Sequence, residues 1–395
     1  MKMRQVYMDN VAAAPLLPEV REAMLPYLGE IFGNPQSLHN WADGAREALE
    51  SAREQVAALI GGASEEIIFT SSGTEANNMA VKGIARSRAE KGKHIIVSSI
   101  EHFSVLNSAR TMQREGFEVS LAPVDSTGTV VPDDLLKLVR PDTVLVSVTQ
   151  ASSEVGTIQP LAEIAAGLPK DGPVLHTDAV AGVGNIPVDV KKLGMHALSL
   201  AGNQFNGPRG SGALWVKRGV RLLPLMDGGI QEGGRRPGTE DVPAIAGLGK
   251  AAEIARRDLD VRMERMSGLR DMLIEGVLGK VEHSVLTGHP VNRLPGYASF
   301  CLRFIEGEAI LMLLNSHGIA AASGSACTSR ALKASHVLLA MGINHELAQG
   351  SVLFTLGPVN DAEDVKYVLE KLPEVVDRLR RMSPLYSKYL KEQKG

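Results

Sequence analysis

Between residues 41 and 60 the small or apolar side chains Ala45, Leu49, Ala52, Val56 and Leu59 return every three or four positions, with Arg46, Glu47, Arg53 and Glu54 between them. An apolar stripe opposed by charge predicts one amphipathic helix. Beyond it, short apolar runs at 67–69, 94–97, 143–148 and 173–176 are each followed by turn residues and a helical stretch. Strands alternating with helices predict a parallel sheet with right-handed crossovers. Two further strands at 197–200 and 212–216, joined by a short connection, predict an antiparallel addition that completes the sheet. Such sheets carry ligands at the carboxyl ends of their strands.

The texture changes after a glycine-rich stretch at 228–238. A long helical pattern over 244–277 reads as the link between two lobes, and 281–379 reads as a second, smaller α/β unit with Val365, Val368, Leu369 and Leu372 on a helix face. The polar tail at 384–395 is expected to fray or lie on the surface. A chain of 395 residues exceeds one average domain. The expected division is a large unit at 16–257 and a small unit combining 1–15 with 258–395.

Composition narrows the function classes. A formal charge of −3, with acidic and basic residues scattered along the chain, leaves no basic footprint for nucleic acid or an anionic membrane. No apolar run approaches the roughly 20 residues needed to span a bilayer, and the N-terminus does not resemble a signal peptide, so a cytoplasmic protein is expected. Cys301 and Cys327 belong to no CxxC pattern and cannot build a disulfide framework. Each is therefore structural or chemically used.

Candidate chemistry gathers at the strand ends. Ser72-Gly73-Thr74-Glu75-Ala76-Asn77-Asn78 follows a strand and opens a helix, so it reads either as a phosphate cradle of backbone amides or as an ordinary capped turn. Glu101-His102 and His176-Thr177-Asp178-Ala179 also follow strands. A ring that stacks, a carboxylate and a phosphate cradle are the set that an aromatic pyridinium cofactor uses. Taken singly, His102 also reads as a satisfied imidazole and Asp178 as a turn cap.

From about residue 8 to 379 the chain resembles the cysteine desulfurases of class V aminotransferases. The resemblance rests on Phe32-Gly33-Asn34-Pro35, the Ser72–Asn78 segment, Glu101-His102, His176-Thr177-Asp178-Ala179, the 207–214 segment, Gly234-Arg235-Arg236-Pro237-Gly238-Thr239-Glu240 and Ser323-Gly324-Ser325-Ala326-Cys327-Thr328-Ser329. It implies an α/β fold of the PLP-dependent transferase type I, with a large, mostly parallel seven-stranded sheet and a smaller α/β domain. It also implies a homodimer with sites at the subunit interface and delivery of sulfur to iron–sulfur cluster assembly. By that resemblance Gly73 and Thr74 hold the cofactor phosphate together with Thr239 of the partner subunit, His102 stacks on the ring, Asp178 meets the ring nitrogen, and Cys327 takes up the sulfur.

The departures from the family pattern are concentrated on the same surface. Ala201-Gly202-Asn203-Gln204 stands where the family reads Ser-Gly-His-Lys, so Gln204 occupies the position of the imine-forming lysine. An amide nitrogen, its lone pair delocalised into the carbonyl, is neither a nucleophile nor a general base. Ala181 replaces a glutamine, Ser152-Ser153 an Asn-Asn pair, and Leu353 the arginine that clamps the substrate carboxylate. PLP is therefore expected to be absent or held without a covalent bond, and cysteine desulfuration to be lost.

What remains is Cys327, on a small, polar loop that suits an exposed thiol; Cys301, among apolar residues, reads as a buried hydrophobe. The leading expectation makes Cys327 a thiolate ligand of an iron–sulfur cluster shared with a scaffold partner, with sulfur arriving as inorganic sulfide. One thiolate is too few for a cluster, where four ligands are usual. The rival readings are a PLP enzyme acting on an amine or thiol without a covalent link, and a dimeric persulfide carrier.

Overall fold

A computed structural model describes residues 4–324 and 334–393. Its strands in chain order are β1 (Val6–Tyr7), β2 (Ile67–Thr70), β3 (His94–Ser98), β4 (Glu118–Ala122), β5 (Thr143–Ser147), β6 (Val174–Asp178), β7 (Ala197–Ala201), β8 (Gly212–Val216), β9 (Ser284–Leu286), β10 (Tyr297–Leu302), β11 (Ile319–Ala320) and β12 (Ser351–Thr355). Seven form one sheet in the order β2-β8-β7-β6-β5-β3-β4. Strands β3 to β7 pair in parallel, whereas β8 runs antiparallel to both β7 and β2. The large, mostly parallel seven-stranded sheet expected from the sequence is present.

Helices cover both faces of this sheet, so its central strands are buried on both faces, with apolar residues on each side. On one face Leu175, Leu198, Ala213 and Trp215 pack with Leu49, Ala52 and Val56 of the helix Asp43–Ile60 and with Leu248 and Ala252 of the helix Val242–Lys280. On the other, Ile68, Ile95, Val97, Leu145 and Leu214 pack with Met79, Ile84, Val105 and Met112. A separate cluster surrounds the three-stranded antiparallel sheet β12-β10-β9. The helix Val242–Lys280 lends its first half to the first cluster and Met266, Leu273 and Val277 to this one. Val6 and Met8 join the same cluster, and β1 pairs in parallel with β11.

Two elements go beyond the sequence expectation. Strand β4 is an edge strand whose Glu118 and Ser120 take polar partners, Arg140 and His94, so it lacks the apolar run that marks its neighbours. The tail does not fray over Pro384–Glu392, which is helical. Ser383 caps it by accepting from the Tyr386 backbone, Pro384 opens its first turn, and Tyr389 lies 4.8 Å from the Phe304 ring. Within the described residues no helix is long and apolar enough to cross a membrane.

Because β6 lies at the centre of the large sheet and ends in Asp178, its packing sets the floor of whatever site lies above it. Leu175 is fully buried there. Leu175→Ala is expected to destabilise the protein by about 2–5 kcal/mol in chemical denaturation. A loss well under 1 kcal/mol would mean that the strand is not packed as described.

Candidate active site

The carboxyl ends of β2, β6 and β7 open into a cavity of about 520 Å³ whose walls also include Asp9, Val11 and Ala12 from the N-terminal segment and Leu353 from β12. Gly73, Thr74, His102, Asp178 and Gln204 all line it, so strand ends far apart in sequence meet as expected. Among the described lining residues there is no lysine and no arginine.

Asp178 is 6 % exposed. Its Oδ1 accepts from the Val180 amide at 3.0 Å and its Oδ2 from Asn77 Nδ2 at 2.7 Å. Burial pushes its carboxyl above the usual range, against the two hydrogen bonds and the nearby His102. Asn77 also donates to Ser104 Oγ at 2.9 Å, and Ser104 Oγ lies 2.7 Å from His102 Nδ1. His102 in turn accepts from the Ser104 amide and caps the helix Phe103–Arg114. Carboxylate, amide, hydroxyl and imidazole thus form one hydrogen-bonded chain. His176, two residues before Asp178, plays no part in it. It bridges Ser147 and Ser199 inside the sheet, and burial lowers its pKa to about 3, so it is a neutral core imidazole.

The turn before the helix Gly73–Asn78 is shaped by close approach. Ser72 Oγ accepts from the Glu75 amide at 3.1 Å. A Cβ on Gly73 would lie 2.5 Å from Val180 Cγ2, so only glycine brings this turn against the residue that also holds Asp178. The cradle and the buried carboxylate are parts of one packed unit.

Gln204 sits in the short turn Gly202–Gln204 after β7, with its Nε2 donating to the Val11 carbonyl at 2.8 Å. Asn203 holds the same segment, its carbonyl accepting from the Ala14 amide at 3.0 Å. Leu353 is 3 % exposed and packs with Ala151, Ala181, Ala322 and Tyr297, forming an apolar wall. Ser152 turns inward and accepts from the amides of Glu154 and Val155.

Thr239 is exposed and lies outside the lining of this cavity. Cys327, expected as catalytic thiol and metal ligand, lies outside the described residues, although Ser323, Gly324, His336 and Val337 from either side of that segment line the cavity. Among the described residues no group of three or more His, Cys, Asp or Glu side chains is placed to hold a metal ion. Cys301 is buried on β10, and burial raises its pKa to about 12, in keeping with an inert role.

Two acids escaped the sequence reading. Glu101 is fully buried; its Oε1 accepts from Ser98 Oγ and from the Thr149 amide, both at 2.6 Å, while its Oε2 faces no partner. Burial, with Asp178 adding to it, raises its pKa to about 8. Glu154 is raised to about 7 by burial, against a hydrogen bond from Ser335 Oγ. The only signal of Glu101 was its place beside His102, and nothing local marks Glu154 as a pocket residue.

PLP fits this set of groups. When ionised, Asp178 is a buried acceptor with no lysine or arginine in the described lining and only His102 as a nearby basic group, and a pyridinium N–H supplies a cation for it. His102 offers a ring face on the cavity wall, and the amides of the Gly73 turn offer donors to a phosphate.

The acid Glu101 also has a stability signature. A carboxyl whose folded pKa is raised favours the folded state below its unfolded pKa, about 4.3, and loses that contribution as pH rises through about 8. Glu101→Gln, which keeps a neutral group of the same shape, is expected to flatten the fall in melting temperature across that window. An unchanged pH profile would show that Glu101 is ionised at neutral pH.

The comparisons with known proteins agree with this geometry. The aminotransferase class V family model matches residues 6–368. A cysteine desulfurase IscS of Methanosarcina thermophila is 48% identical over 98% of this chain and 95% of its own length. A cysteine desulfurase IscS 1 of Archaeoglobus fulgidus is 50% identical over 96% of this chain and 99% of its own. A solved NifS-like protein superposes with a TM-score of 0.89 at 35% identity, covering 95% of this chain and all of that one. Membership in a PLP-dependent family corrects the expectation that PLP is absent. The physical reason is that the Gly73 turn, His102 and the buried carboxylate of Asp178 stand together on one cavity wall, a set that fits the cofactor. The chain belongs to the class V aminotransferase family and, within it, to the cysteine desulfurases of the IscS and NifS type.

Proposed function

We propose that this chain is a PLP-binding protein of the cysteine desulfurase type that carries sulfur on Cys327 for iron–sulfur cluster assembly, and that release of sulfur from free cysteine by a lysine-dependent route has been lost. The reading includes a cytoplasmic homodimer with units at 16–257 and at 1–15 with 258–395, and a cluster-scaffold protein as receiver of the sulfur. The observation that carries it is Gln204, whose amide is tied to the Val11 carbonyl at 2.8 Å on the cavity wall. An amide so placed neither attacks a carbonyl carbon nor accepts the proton that the lysine would shuttle.

In this reading Gly73 and Thr74 hold the cofactor phosphate with Thr239 of the partner subunit, His102 lies on the ring, and Asp178 meets its nitrogen. When bound, PLP supplies an electron sink for charge developing beside an amine carbon. The chain's own contribution is to hold protons in place. Asp178 keeps a proton on the ring nitrogen, and Glu101, neutral near pH 7, keeps its own on the Oε2 that has no other partner. Leu353 supports the loss of cysteine as substrate, since an apolar wall forgoes a charge-assisted bond worth about 1.5–3 kcal/mol to a carboxylate. Sulfur uptake at Cys327 requires only thiolate attack on the outer sulfur of a persulfide donor. The donor's S–S bond breaks, its thiol leaves, and a persulfide is left on the protein.

Purified protein supplied with PLP and cysteine is expected to release no alanine beyond that of free PLP, and to gain one sulfur atom by intact mass from a persulfide donor unless Cys327 is changed to Ser. Gln204→Lys is expected to yield a borohydride-trapped PLP adduct on that lysine. Alanine release by the unaltered protein that disappears in Cys327→Ser would sink the proposal and return the chain to the active desulfurases.

A further inference from the structure

The segment 228–240, which carries Thr239, is strained and yet tightly fastened. Glu232 has φ 49°, in the left-handed region that costs a non-glycine residue about 1–3 kcal/mol. It is kept there by a bidentate pair with Arg53, whose Nη1 and Nη2 meet the two carboxylate oxygens at 2.9 and 2.8 Å. The side chains are 13 % and 2 % exposed, so solvent screens them little. Glu232 also accepts from the Phe69 amide at 2.9 Å, and the Arg53 guanidinium lies over the Phe69 ring. The base of the loop is therefore bolted to β2, the strand that runs into the Ser72-Gly73-Thr74 turn.

A second fastening lies nearer the turn itself. Arg236 Nε donates to Glu75 Oε1 at 2.9 Å, with both side chains largely buried. The other oxygen of Glu75 accepts from the backbone amide and from the hydroxyl of Ser71, each at 2.6 Å. Burial alone would push this carboxyl up, but Arg236 and Ser71 together bring it below the usual range. Glu75 thus has one oxygen on the loop of Thr239 and the other on the entry to the phosphate turn. Only Pro237 and Gly238 separate Arg236 from Thr239.

We propose that the Glu75–Arg236 pair is a positioning link that couples the two cofactor sites of the dimer. This rests on the reading above, in which Thr239 serves the partner's site. The turn that holds phosphate in one subunit is joined, through Glu75 and Arg236, to the loop that completes the other. Ordering one turn by a bound phosphate orders the loop that the second site needs. The second PLP then meets a site already arranged, and by linkage the effect is reciprocal. Glu75 and Arg236 act through other residues and touch no reacting atom.

The test is a calorimetric titration of the full-length dimer with PLP, beside Glu75→Gln, Arg236→Gln and the double variant, with size-exclusion and melting temperature of the PLP-free proteins recorded for each. The unaltered dimer is expected to bind with a Hill coefficient above 1. Each single variant is expected to bind at least about tenfold more weakly, without cooperativity, as a dimer whose melting temperature stays within a few degrees. The double variant is expected to be no weaker than the weaker single, because the pair acts as one unit. Non-cooperative binding by the unaltered dimer, or cooperative and equally tight binding by the variants, overturns the proposal alone. A variant that loses PLP only along with its folded dimer makes the pair structural, which also overturns it. An unaltered protein that binds no PLP, or binds it as a monomer, overturns the functional reading and this inference with it.

Discussion

A carboxylate placed at the floor of a pocket and taken out of water is the feature around which this molecule is arranged. Asp178 ends the central strand of the large sheet, and its two hydrogen bonds come from Val180 and Asn77. Those neutral donors offset only part of the desolvation. Gly73 packs closely against the side chain of Val180, whose amide holds Asp178, and the Asn77 contact continues through Ser104 to His102. The Gly73 turn, His102 and the carboxylate are thus linked by packing and hydrogen bonds. A cationic ring nitrogen completes the set, which is why the pocket reads as a PLP site.

Around that fixed floor the walls have moved in one direction. Gln204, Asn203 and Leu353, which the proposed reading sets against the family's lysine, histidine and arginine, line the cavity with the acids Asp9, Glu101, Glu154 and Asp178. Two of these acids are shifted upward by burial to about 8 and about 7, so they hold protons in the range where their free counterparts would be ionised. Apart from His102 and His336, the described lining carries no basic side chain to meet an amino-acid carboxylate, which is what the proposed loss of cysteine as substrate rests on. Such a lining is compatible with a protein that keeps the cofactor and receives its sulfur by another route.

Much of the fold was legible because a doubly covered parallel sheet writes itself as short apolar runs between helices. The runs at 67–69, 94–97, 143–148 and 173–176 became β2, β3, β5 and β6. Strand β4 was not legible, since an edge strand satisfied by Arg140 and His94 needs no apolar run. The helix Pro384–Glu392 was missed because its stability comes from Tyr389 meeting Phe304, a contact distant in sequence. At the site, Gly73, Thr74, His102, Asp178 and Gln204 could be read from motifs that follow strands. Glu154 and His336 could not, because they reach the cavity only through tertiary packing, Glu154 under Ser335 and His336 beside Phe103. The fate of PLP was misjudged because substitutions are visible one at a time in a sequence, whereas the packing that keeps Gly73, Asn77 and Asp178 as one unit is visible only in the fold.

The most direct measurement is the affinity of the full-length protein for PLP beside that of Asp178→Asn, which keeps the shape of the side chain and removes its charge. The account expects affinity to fall by at least about tenfold, the worth of a charge-assisted hydrogen bond, while the PLP-free variant melts no lower than the unaltered protein. Equal affinity in the two proteins would contradict it, for then the buried carboxylate is not what the cofactor binds.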